Sequence, residues 1–313
     1  LKVHNDVTLI CDREAYSSDR LGVDIGGTEI KFGVLNENNE LVYKSQIPTD
    51  CSSAEKLIDD ISEKCAEIMK EYYISGIGIG TPGRIRGGKV NAVNIPFNDL
   101  DLKAAIEEKL NIPVKVSNDA NCAALGEAIC GSGNAVKNLV MVSLGTGIGG
   151  GIIINNKIYE GMGSAGEIGH FSLDMNGREC PCGMKGCFEQ YASAAALVSS
   201  AESAAVQNTE SVLHKIYSDN GNKLDGKLFF KAVADGCGVA EAVLDEYIKY
   251  LAVGLSGIVN IFDPDMIVLS GGITNVGDML LTPLKSAMNS DTEITVSKLK
   301  GDAGTIGAAL LIV

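Results

Sequence analysis

One cysteine-rich stretch organises the sequence: Glu167-Ile-Gly-His170, followed by Cys180-Pro-Cys182-Gly-Met-Lys-Gly-Cys187-Phe-Glu189. The histidine and the three cysteines are soft or borderline metal ligands, and the glycines between them allow a short loop to wrap an ion. The spacing predicts a tetrahedral zinc site with His170, Cys180, Cys182 and Cys187 as ligands. Four protein ligands leave no open position, so the zinc would be structural and the chemistry would belong to residues that the loop holds in place.

Three alternatives exist for these cysteines. They could be unrelated buried thiols, although three cysteines within residues 180–187 with glycines between them make a poor core. They could form disulfides, but the other six cysteines are scattered in apolar or helical contexts and nothing indicates export. A catalytic zinc would keep a water in place of one protein ligand. The structural site is the interpretation that fits the pattern best.

The overall composition narrows the class of protein. A chain of 313 residues with 45 % hydrophobic residues, 37 glycines and no tryptophan can bury a large core and form two lobes. Its net charge of −14 disfavours nucleic acid and anionic membranes as partners. No apolar run is long enough to cross a bilayer, and no signal peptide precedes the first strand. We therefore expect a cytoplasmic protein.

Hydrophobic periodicity predicts alternating strands and helices. The expected strands cover residues 20–25, 30–35, 41–47, 74–80, 114–116, 139–144, 148–154, 266–269 and 294–296. The expected helices cover 54–72, entered through a capping box at Ser52 to Glu55, then 102–110, 120–129, 191–206, 224–234, 239–262, 278–288 and a last one from 303. Residues 1–19 are expected to form a loose arm or strand. Residues 81–97 and 209–222 are expected to lack regular structure.

Two parts of the chain resemble each other. Residues 21–35 and 139–154 both give a strand, a Gly/Thr turn and a returning strand. This pattern predicts an internal duplication of one α/β unit, hence two lobes with a cleft between them, although so short a repeat could be coincidental. We expect a smaller lobe from residues 1–117 with 298–313, and a larger lobe from 118–297 that carries the zinc loop at 167–189.

Three glycine-rich turns follow apolar strands: Gly26-Gly27-Thr28, Gly145-Thr146-Gly147 and Gly271-Gly272. Backbone N–H groups in such turns can bind phosphate oxygens, and the absence of Cβ atoms permits close approach. A single one is more often only a turn, but three at strand ends favour a nucleotide. None has the Gly-Lys-Ser/Thr of a Walker A loop, and none opens a helix in the dinucleotide-binding manner.

Two aspartates also stand at strand ends, Asp24 and Asp119. Phosphoryl transfer uses one carboxylate that takes the proton of the nucleophile and another that positions Mg²⁺. Asp119 suits the first role and Asp24 the second. Because Asp119 precedes a predicted helix, an N-cap is an equally good local interpretation.

Together these motifs resemble the ROK family (repressor, open reading frame, kinase) of sugar kinases and sugar-responsive regulators. The resemblance runs from about Leu21 to the end of the chain. Its most specific part is Glu167-x-x-His170 with Cys180-x-Cys182-Gly-x-x-Gly-Cys187-x-Glu189. Further support comes from Asp24-Ile-Gly-Gly-Thr28, Ser117-Asn118-Asp119-Ala-Asn121 and Leu269-Ser-Gly-Gly272.

The resemblance implies an α/β, actin/hexokinase-like (ribonuclease H-like) fold of two lobes with ATP and sugar in the cleft. It makes Asp119 the base that acts on the sugar hydroxyl, and Gly271-Gly272 the turn that holds adenosine. Gly26 to Thr28 and Gly145 to Gly147 would hold phosphates. The implied sugar-binding residues are Asn118, Glu167, His170, Glu189, Gly83 and Asn94. Relatives are commonly homodimers or homotetramers.

Two departures from the family pattern bear on function. Many relatives carry lysine after the Gly-Gly-Thr turn, whereas this chain has Glu29, with Lys31 two residues further. The regulators carry an N-terminal winged helix, and the residues before Arg20 show no helix-turn-helix pattern.

We therefore expect an ATP-dependent hexose kinase, most simply a glucokinase. The alternatives are a kinase for N-acetylmannosamine, N-acetylglucosamine, allose, mannose or fructose, and a sugar-sensing regulator without its DNA-binding domain.

Overall fold

The computed structural model describes residues 19–92, 94–288 and 290–312. These residues form two compact units, one containing those up to Gly126 and from Gly304 onward, the other Glu127–Ala303. The boundaries expected from the sequence, at 117/118 and 297/298, fall earlier in the chain. The arm expected at residues 1–19 lies outside the described residues, apart from residue 19, which begins the first strand.

The first unit contains a mixed five-stranded sheet in the order β3-β2-β1-β4-β7. Strands β1 to β3 form an antiparallel meander, and β4 and β7 run parallel to β1. Its elements are β1 (Asp19–Ile25), β2 (Glu29–Leu35), β3 (Leu41–Pro48), α1 (Ala54–Ile68), β4 (Ile74–Thr81), β5 (Arg84–Arg86), β6 (Lys89–Asn91), α2 (Leu102–Leu110) and β7 (Val114–Asn118). Helix α3 (Asp119–Cys130) begins in this unit.

The second unit contains a sheet in the order β10-β9-β8-β11-β12. Its elements are β8 (Leu139–Leu144), β9 (Ile148–Ile154), β10 (Lys157–Ile158), α4 (Glu189–Ala192), α5 (Ala194–Gln207), α6 (Val212–Asp219), α7 (Gly226–Ala234), α8 (Gly238–Phe262), β11 (Met266–Ser270), α9 (Asp278–Ala287) and β12 (Glu293–Val296), with 3₁₀ turns at Ile168–His170, Gly272–Val276 and Lys300–Asp302. Again three strands are antiparallel and the last two run parallel to the first. The same strand order and directions occur in both sheets, as the predicted duplication requires.

Each unit has its own hydrophobic core. In the first unit, the final helix α10 (Ala303–Ala309) packs its backbone directly against the sheet. A Cβ built on Gly78 would lie 1.7 Å from the Ala308 carbonyl oxygen, and one on Gly22 would lie 2.0 Å from that of Thr305. The alternation of isoleucine and glycine in β4 therefore marks a close neighbour.

Two segments expected to be irregular are regular. Residues 84–91 form the β5–β6 hairpin, because Gly87 and Gly88 both have positive φ and make its tight turn. Within 209–222, helix α6 is capped by the Ser211 hydroxyl and buries Leu213. Both elements are short, with three residues in each strand and eight in the helix, so neither gives a pattern long enough to be recognised in the sequence.

Two helix ends also differ from expectation. The cap of α1 is Ser53, whose hydroxyl accepts the Lys56 N–H, so the box from Ser52 to Glu55 is not used, and the helix ends at Ile68. The helix expected at 191–206 is interrupted at Ser193, which caps α5. No helix in the described ranges is both long and apolar enough to cross a membrane.

Candidate functional site

Two carboxylates of the first unit stand at the carboxyl ends of parallel strands. Asp24 pairs with Gly80 of β4, which pairs in turn with Ser117, two residues before Asp119. A Cβ on Gly80 would lie 3.2 Å from the Cys122 sulfur and 3.6 Å from the Asp119 Cα. Glycine at this position therefore lets α3 begin close to the sheet, which fixes the Asp119 backbone relative to Asp24.

The electrostatics of Asp24 are unusual for an aspartate. Burial, followed by the negative charge of Asp119, raises the pKa of Asp24 from 3.8 to about 6, against an opposing effect of Lys31. The carboxylate also lies against Gly304, where a Cβ would come within 2.5 Å of Oδ2. A buried carboxylate next to a second one is a group that a divalent cation would stabilise, so the residues fit Mg²⁺.

We expect Asp24→Asn to stabilise the chain when Mg²⁺ is absent. Well below pH 3.8 the carboxyl is protonated in both the folded and the unfolded chain. Between about pH 4 and 6 the unfolded chain loses its proton first, so stability falls as the pH rises, and above pH 6 the penalty is complete. Each pKa unit corresponds to about 1.4 kcal/mol, so the variant should gain up to about 3 kcal/mol at pH 7.5 and almost nothing at pH 4.

Urea denaturation in EDTA at the two pH values measures this difference. The control is Glu37→Gln, at an exposed residue in the β2–β3 turn, which should behave like the unmodified chain at both pH values. If Asp24→Asn is no more stable than the unmodified chain at pH 7.5, burial of the Asp24 carboxylate does not destabilise the fold.

Asn118 holds the start of α3 and the loop after β4 together. Its Oδ1 accepts the N–H groups of Ala120 and Asn121 at 2.9 and 3.3 Å, and its Nδ2 donates to the Gly83 carbonyl at 3.1 Å. Capping of α3 thus rests mainly on Asn118, although Asp119 Oδ1 also accepts the Ala120 N–H at 2.8 Å. Asp119 is therefore not needed as the principal cap.

Gly83 and Asn94, both expected to contact sugar, lie in the loops around the β5–β6 hairpin. Gly83 has φ +94°, and a Cβ there would lie 2.3 Å from the Asn91 oxygen, so only glycine fits. Asn94 is exposed, and its carbonyl accepts the Cys51 thiol at 3.9 Å. Gly83 is thereby linked to Asn118, and Asn94 is linked to Cys51.

Both predicted phosphate turns are tight hairpins. Gly26 N–H donates to the Glu29 carbonyl at 3.0 Å, and Gly27 and Thr28 are exposed at the tip. In the other turn Gly145 N–H donates to the Gly147 carbonyl at 3.0 Å and leaves Thr146 exposed. Beside the first turn, Lys31 forms an ion pair with Glu29 at 3.4 Å. The cation of Lys31 is thus partly neutralised by the residue that departs from the family pattern.

The four proposed zinc ligands lie together in the second unit. Their ligand atoms are all within 4.8 Å of one another. The Cys182 and Cys187 sulfurs are 3.5 Å apart, and Cys180 Sγ is 3.7 Å from His170 Nδ1. A tetrahedral zinc with Zn–S bonds of about 2.3 Å has sulfur–sulfur edges of about 3.8 Å, so the donor set fits this ion.

The protonation of the three thiols differs with their surroundings. Burial raises the pKa of the Cys187 thiol to about 12 and also raises that of Cys180, whereas the Met184 backbone N–H lowers the pKa of Cys182. Zinc binds thiolates and so would displace these protons. Metal affinity should consequently increase with pH.

His170 and Glu189 connect this cluster to possible sugar contacts. Glu189 Oε1 accepts the Cys180 thiol at 3.2 Å and lies 3.7 Å from His170 Nδ1. Glu167 is exposed and stands one 3₁₀ turn before His170, whose N–H bonds to its carbonyl. A Cβ on Gly147 would lie 2.6 Å from Glu189 Oε2, so this carboxylate also borders the second phosphate turn.

Gln190 is a further residue of this site, and it was not predicted from the sequence. Its Nε2 donates to Glu189 Oε1 at 3.2 Å and approaches Cys180 Sγ at 3.7 Å, so it orients the neighbouring carboxylate. Gln190, Glu189 and Thr146 line a cavity of about 640 Å³ in the second unit, together with Arg178 and residues of α5 and α8. No motif marks Gln190, because its role depends on the loop bringing it back to Cys180.

Two glycines of the cysteine-rich loop, the predicted zinc loop, provide a matched pair of substitutions. Gly183 and Gly186 both have positive φ, but a Cβ on Gly186 would lie 1.7 Å from the Asp174 oxygen, whereas one on Gly183 meets nothing within 4 Å. Gly183→Ala should cost about 1 kcal/mol through backbone strain alone. Gly186→Ala should cost about 3 kcal/mol, because the neighbouring backbone must also move.

Thermal denaturation and the rate of zinc loss to EDTA would measure both variants. Gly186→Ala should melt at the lower temperature and release zinc faster than Gly183→Ala. Equal behaviour of the two would mean that the loop relaxes freely around residue 186.

The third glycine turn borders a separate cavity of the second unit. Gly271 has φ +104°, and a Cβ there would lie 2.1 Å from the Leu144 oxygen, so only glycine fits. Unlike the first two turns, this one leads directly into the 3₁₀ turn Gly272–Val276. The adjoining cavity has a volume of about 510 Å³, within the range of ligand-binding pockets.

Comparison with known proteins accounts for this combination of motifs. The model of the ROK family matches residues 20–313. The chain belongs to the ROK family. This ROK chain is 37 % identical to a glucokinase of Halalkalibacterium halodurans, over 94 % of the chain and 96 % of the relative. It is also 30 % identical to a xylose repressor of Caldicellulosiruptor bescii, over 94 % of the chain but 77 % of that protein.

The fold of the ROK chain is likewise that of its relatives. A ROK glucokinase from Streptomyces griseus, solved in complex with glucose and AMPPNP, matches with a TM-score of 0.78 at 33 % identity, over 94 % of this chain and 98 % of that one. The actin/hexokinase-like α/β fold expected from the sequence is thereby confirmed. The individual site residues remain predictions.

Proposed function

We propose that this ROK protein is an ATP-dependent hexose kinase of the glucokinase type, which transfers the γ-phosphoryl group of MgATP to a sugar hydroxyl, the 6-hydroxyl of glucose. The observation that carries the proposal is the similarity to glucokinases over nearly the whole chain, together with intact phosphate turns and both strand-end aspartates. A protein that only senses sugar has no need for this nucleotide machinery.

In the proposed mechanism Asp119 accepts the proton of the attacking hydroxyl, a step that typically contributes 10²- to 10⁴-fold to rate. Asn118 fixes the start of α3, and therefore the position of Asp119, through its bonds to Ala120 and Gly83. Asp24 would hold Mg²⁺, which neutralises charge on the β- and γ-phosphates. The turns at Gly26–Thr28 and Gly145–Gly147 would supply backbone N–H groups to the phosphates.

The sugar is proposed to be held through its other hydroxyls by Glu167, His170 and Glu189, with Gly83 and Asn94 contributing from the hairpin loops. His170 Nδ1 faces the cysteine cluster, so its Nε2 is the atom that would bind a hydroxyl. The zinc would fix the loop in which these side chains sit. Zinc binding by His170 and sugar binding by the same ring are therefore compatible.

A coupled assay of ADP release over a panel of hexoses tests the proposal. We expect turnover with glucose to exceed that with N-acetylglucosamine, N-acetylmannosamine, allose, mannose and fructose. Turnover with a different sugar would correct the substrate while keeping the reaction. Measurable sugar binding without turnover on any of them would contradict the kinase.

A sugar-responsive regulator is the second candidate, because repressors also match almost the whole of this chain. The same panel separates the two, since a regulator would bind a sugar and release no ADP. We further infer a cytoplasmic homodimer or homotetramer from the family resemblance. Sedimentation velocity at several protein concentrations would measure the oligomeric state.

A further inference from the structure

One buried carboxylate has no role in the mechanism above. Glu127, near the end of α3, is completely buried and accepts four hydrogen bonds. Its Oε1 accepts the Ser297 hydroxyl at 2.6 Å and the Leu299 N–H at 2.8 Å, and its Oε2 accepts the N–H groups of Ser132 at 2.8 Å and Lys298 at 3.3 Å. All four donors are neutral, and three of them are backbone groups.

This arrangement needs a carboxylate rather than another polar side chain. Burying a charge is costly unless its oxygens are well supplied with donors, and here each oxygen accepts two bonds. A glutamine at this position could present only one acceptor oxygen, and its NH₂ group would face the N–H donors of Ser132 and Lys298. The interaction is therefore specific for the charged side chain.

The bonds hold one segment, residues 297–300, in a fixed conformation. Ser297 Oγ donates to Glu127 and accepts the Lys300 N–H at 2.8 Å. Lys300 itself has φ +53°, a left-handed conformation that is unfavourable for lysine. Glu127 thus stabilises a strained turn from its buried side.

Residues of this turn also line the cavity at the third glycine turn. Ser297, Lys300 and Gly301 form one wall, and Gly271 and Gly272 lie on the other. The second wall is fixed because Gly271 packs against the Leu144 carbonyl, and Thr274 Oγ1 donates to the Gly271 carbonyl at 2.8 Å. The wall at 297–301, by contrast, is bonded to the side chain of Glu127, about 170 positions away in the chain.

We propose that Glu127 is a positioning residue for the nucleoside: it holds residues 297–301 in the conformation that receives the adenosine of ATP against Gly271-Gly272. The inference rests on the proposed kinase function. Glu127 does not touch the nucleotide and acts through the backbone that it orders. Its removal therefore weakens nucleotide binding and leaves sugar binding unchanged.

The test is Glu127→Gln in the full chain, with ADP and AMPPNP binding measured by calorimetry. We expect both dissociation constants to rise about tenfold and by the same factor, since the two ligands share the adenosine. The KM for ATP should rise about tenfold, while kcat and the KM for the sugar change less than twofold. A loss confined to AMPPNP would place the effect at the phosphates and overturn the proposal, as would unchanged binding of both.

Ser211→Ala is the matched control. It removes the cap of α6 in the same unit and should lower stability without changing either dissociation constant. Hydrogen exchange of the unmodified protein supplies a readout that does not depend on a variant folding: ADP should protect the amides of residues 298–301, and absence of protection contradicts the proposal. If the unmodified chain binds no adenine nucleotide, the kinase function itself fails. If it binds normally and Glu127→Gln does too, only the role of Glu127 fails.

Discussion

Asp119→Asn is expected to lower kcat by about 10³-fold while the dissociation constant for glucose changes less than twofold. The two side chains have the same shape, and the cap of α3 rests mainly on Asn118, so the fold should be preserved. Asparagine cannot accept the hydroxyl proton, and general-base catalysis typically contributes 10²- to 10⁴-fold. The variant thus separates the chemical step from sugar binding.

Steady-state kinetics, glucose calorimetry and a melting curve give the three required measurements. Asp101→Asn is a suitable control, because Asp101 caps α2 in the same unit and has no proposed role in catalysis. Near-normal turnover of Asp119→Asn would show that another group is the base. A parallel loss of glucose affinity would instead make Asp119 a sugar-binding residue.

Removal of one proposed zinc ligand is the second change for which we expect a large effect. Cys187→Ser should reduce the zinc content from one ion per chain to almost none and lower kcat/KM for glucose by at least about 10²-fold. Cys187 is completely buried, and its sulfur is 3.5 Å from that of Cys182, so serine would leave the remaining ligands without their innermost partner. Loss of the ion frees the loop that carries His170 and Glu189.

Elemental analysis measures the zinc content directly. Glucose calorimetry measures sugar binding, which depends on the conformation of the loop, independently of turnover. Cys130→Ser serves as the control, because this cysteine lies in the same unit but outside the four-ligand cluster. Full activity of a zinc-free Cys187→Ser protein would mean that the loop keeps its conformation without metal. Absence of zinc from the protein as purified would contradict the proposed zinc site.

Much of the fold was predictable because its signals are local. Each buried strand is a short apolar run, and a glycine turn separates the two strands of each hairpin. Both hairpins, at 21–35 and 139–154, could therefore be predicted from neighbouring residues. The cysteine cluster is equally local, since its ligands lie within residues 170–187. When the ligands of a site lie in one short segment, their spacing can be recognised in the sequence.

The features that were missed depend on residues far apart in the chain. Glu127 is unremarkable in the sequence of α3, and its partners at 297–299 are about 170 positions away. Gln190 acquires its role only when the loop returns to Cys180. The short hairpin at 84–91 and helix α6 were missed for another reason, because each spans too few residues for its pattern to be recognised.

The glycine-lined face of the first sheet affects the order in which the two units fold during synthesis. Gly22 and Gly78 are covered by residues of α10 that the ribosome makes only after the whole of Glu127–Ala303. The second unit is contiguous and can fold as soon as it emerges, whereas the first must wait for its cover. In a chain that ends at residue 303 and has been released from the ribosome, the second unit should therefore resist protease while the first one stays sensitive.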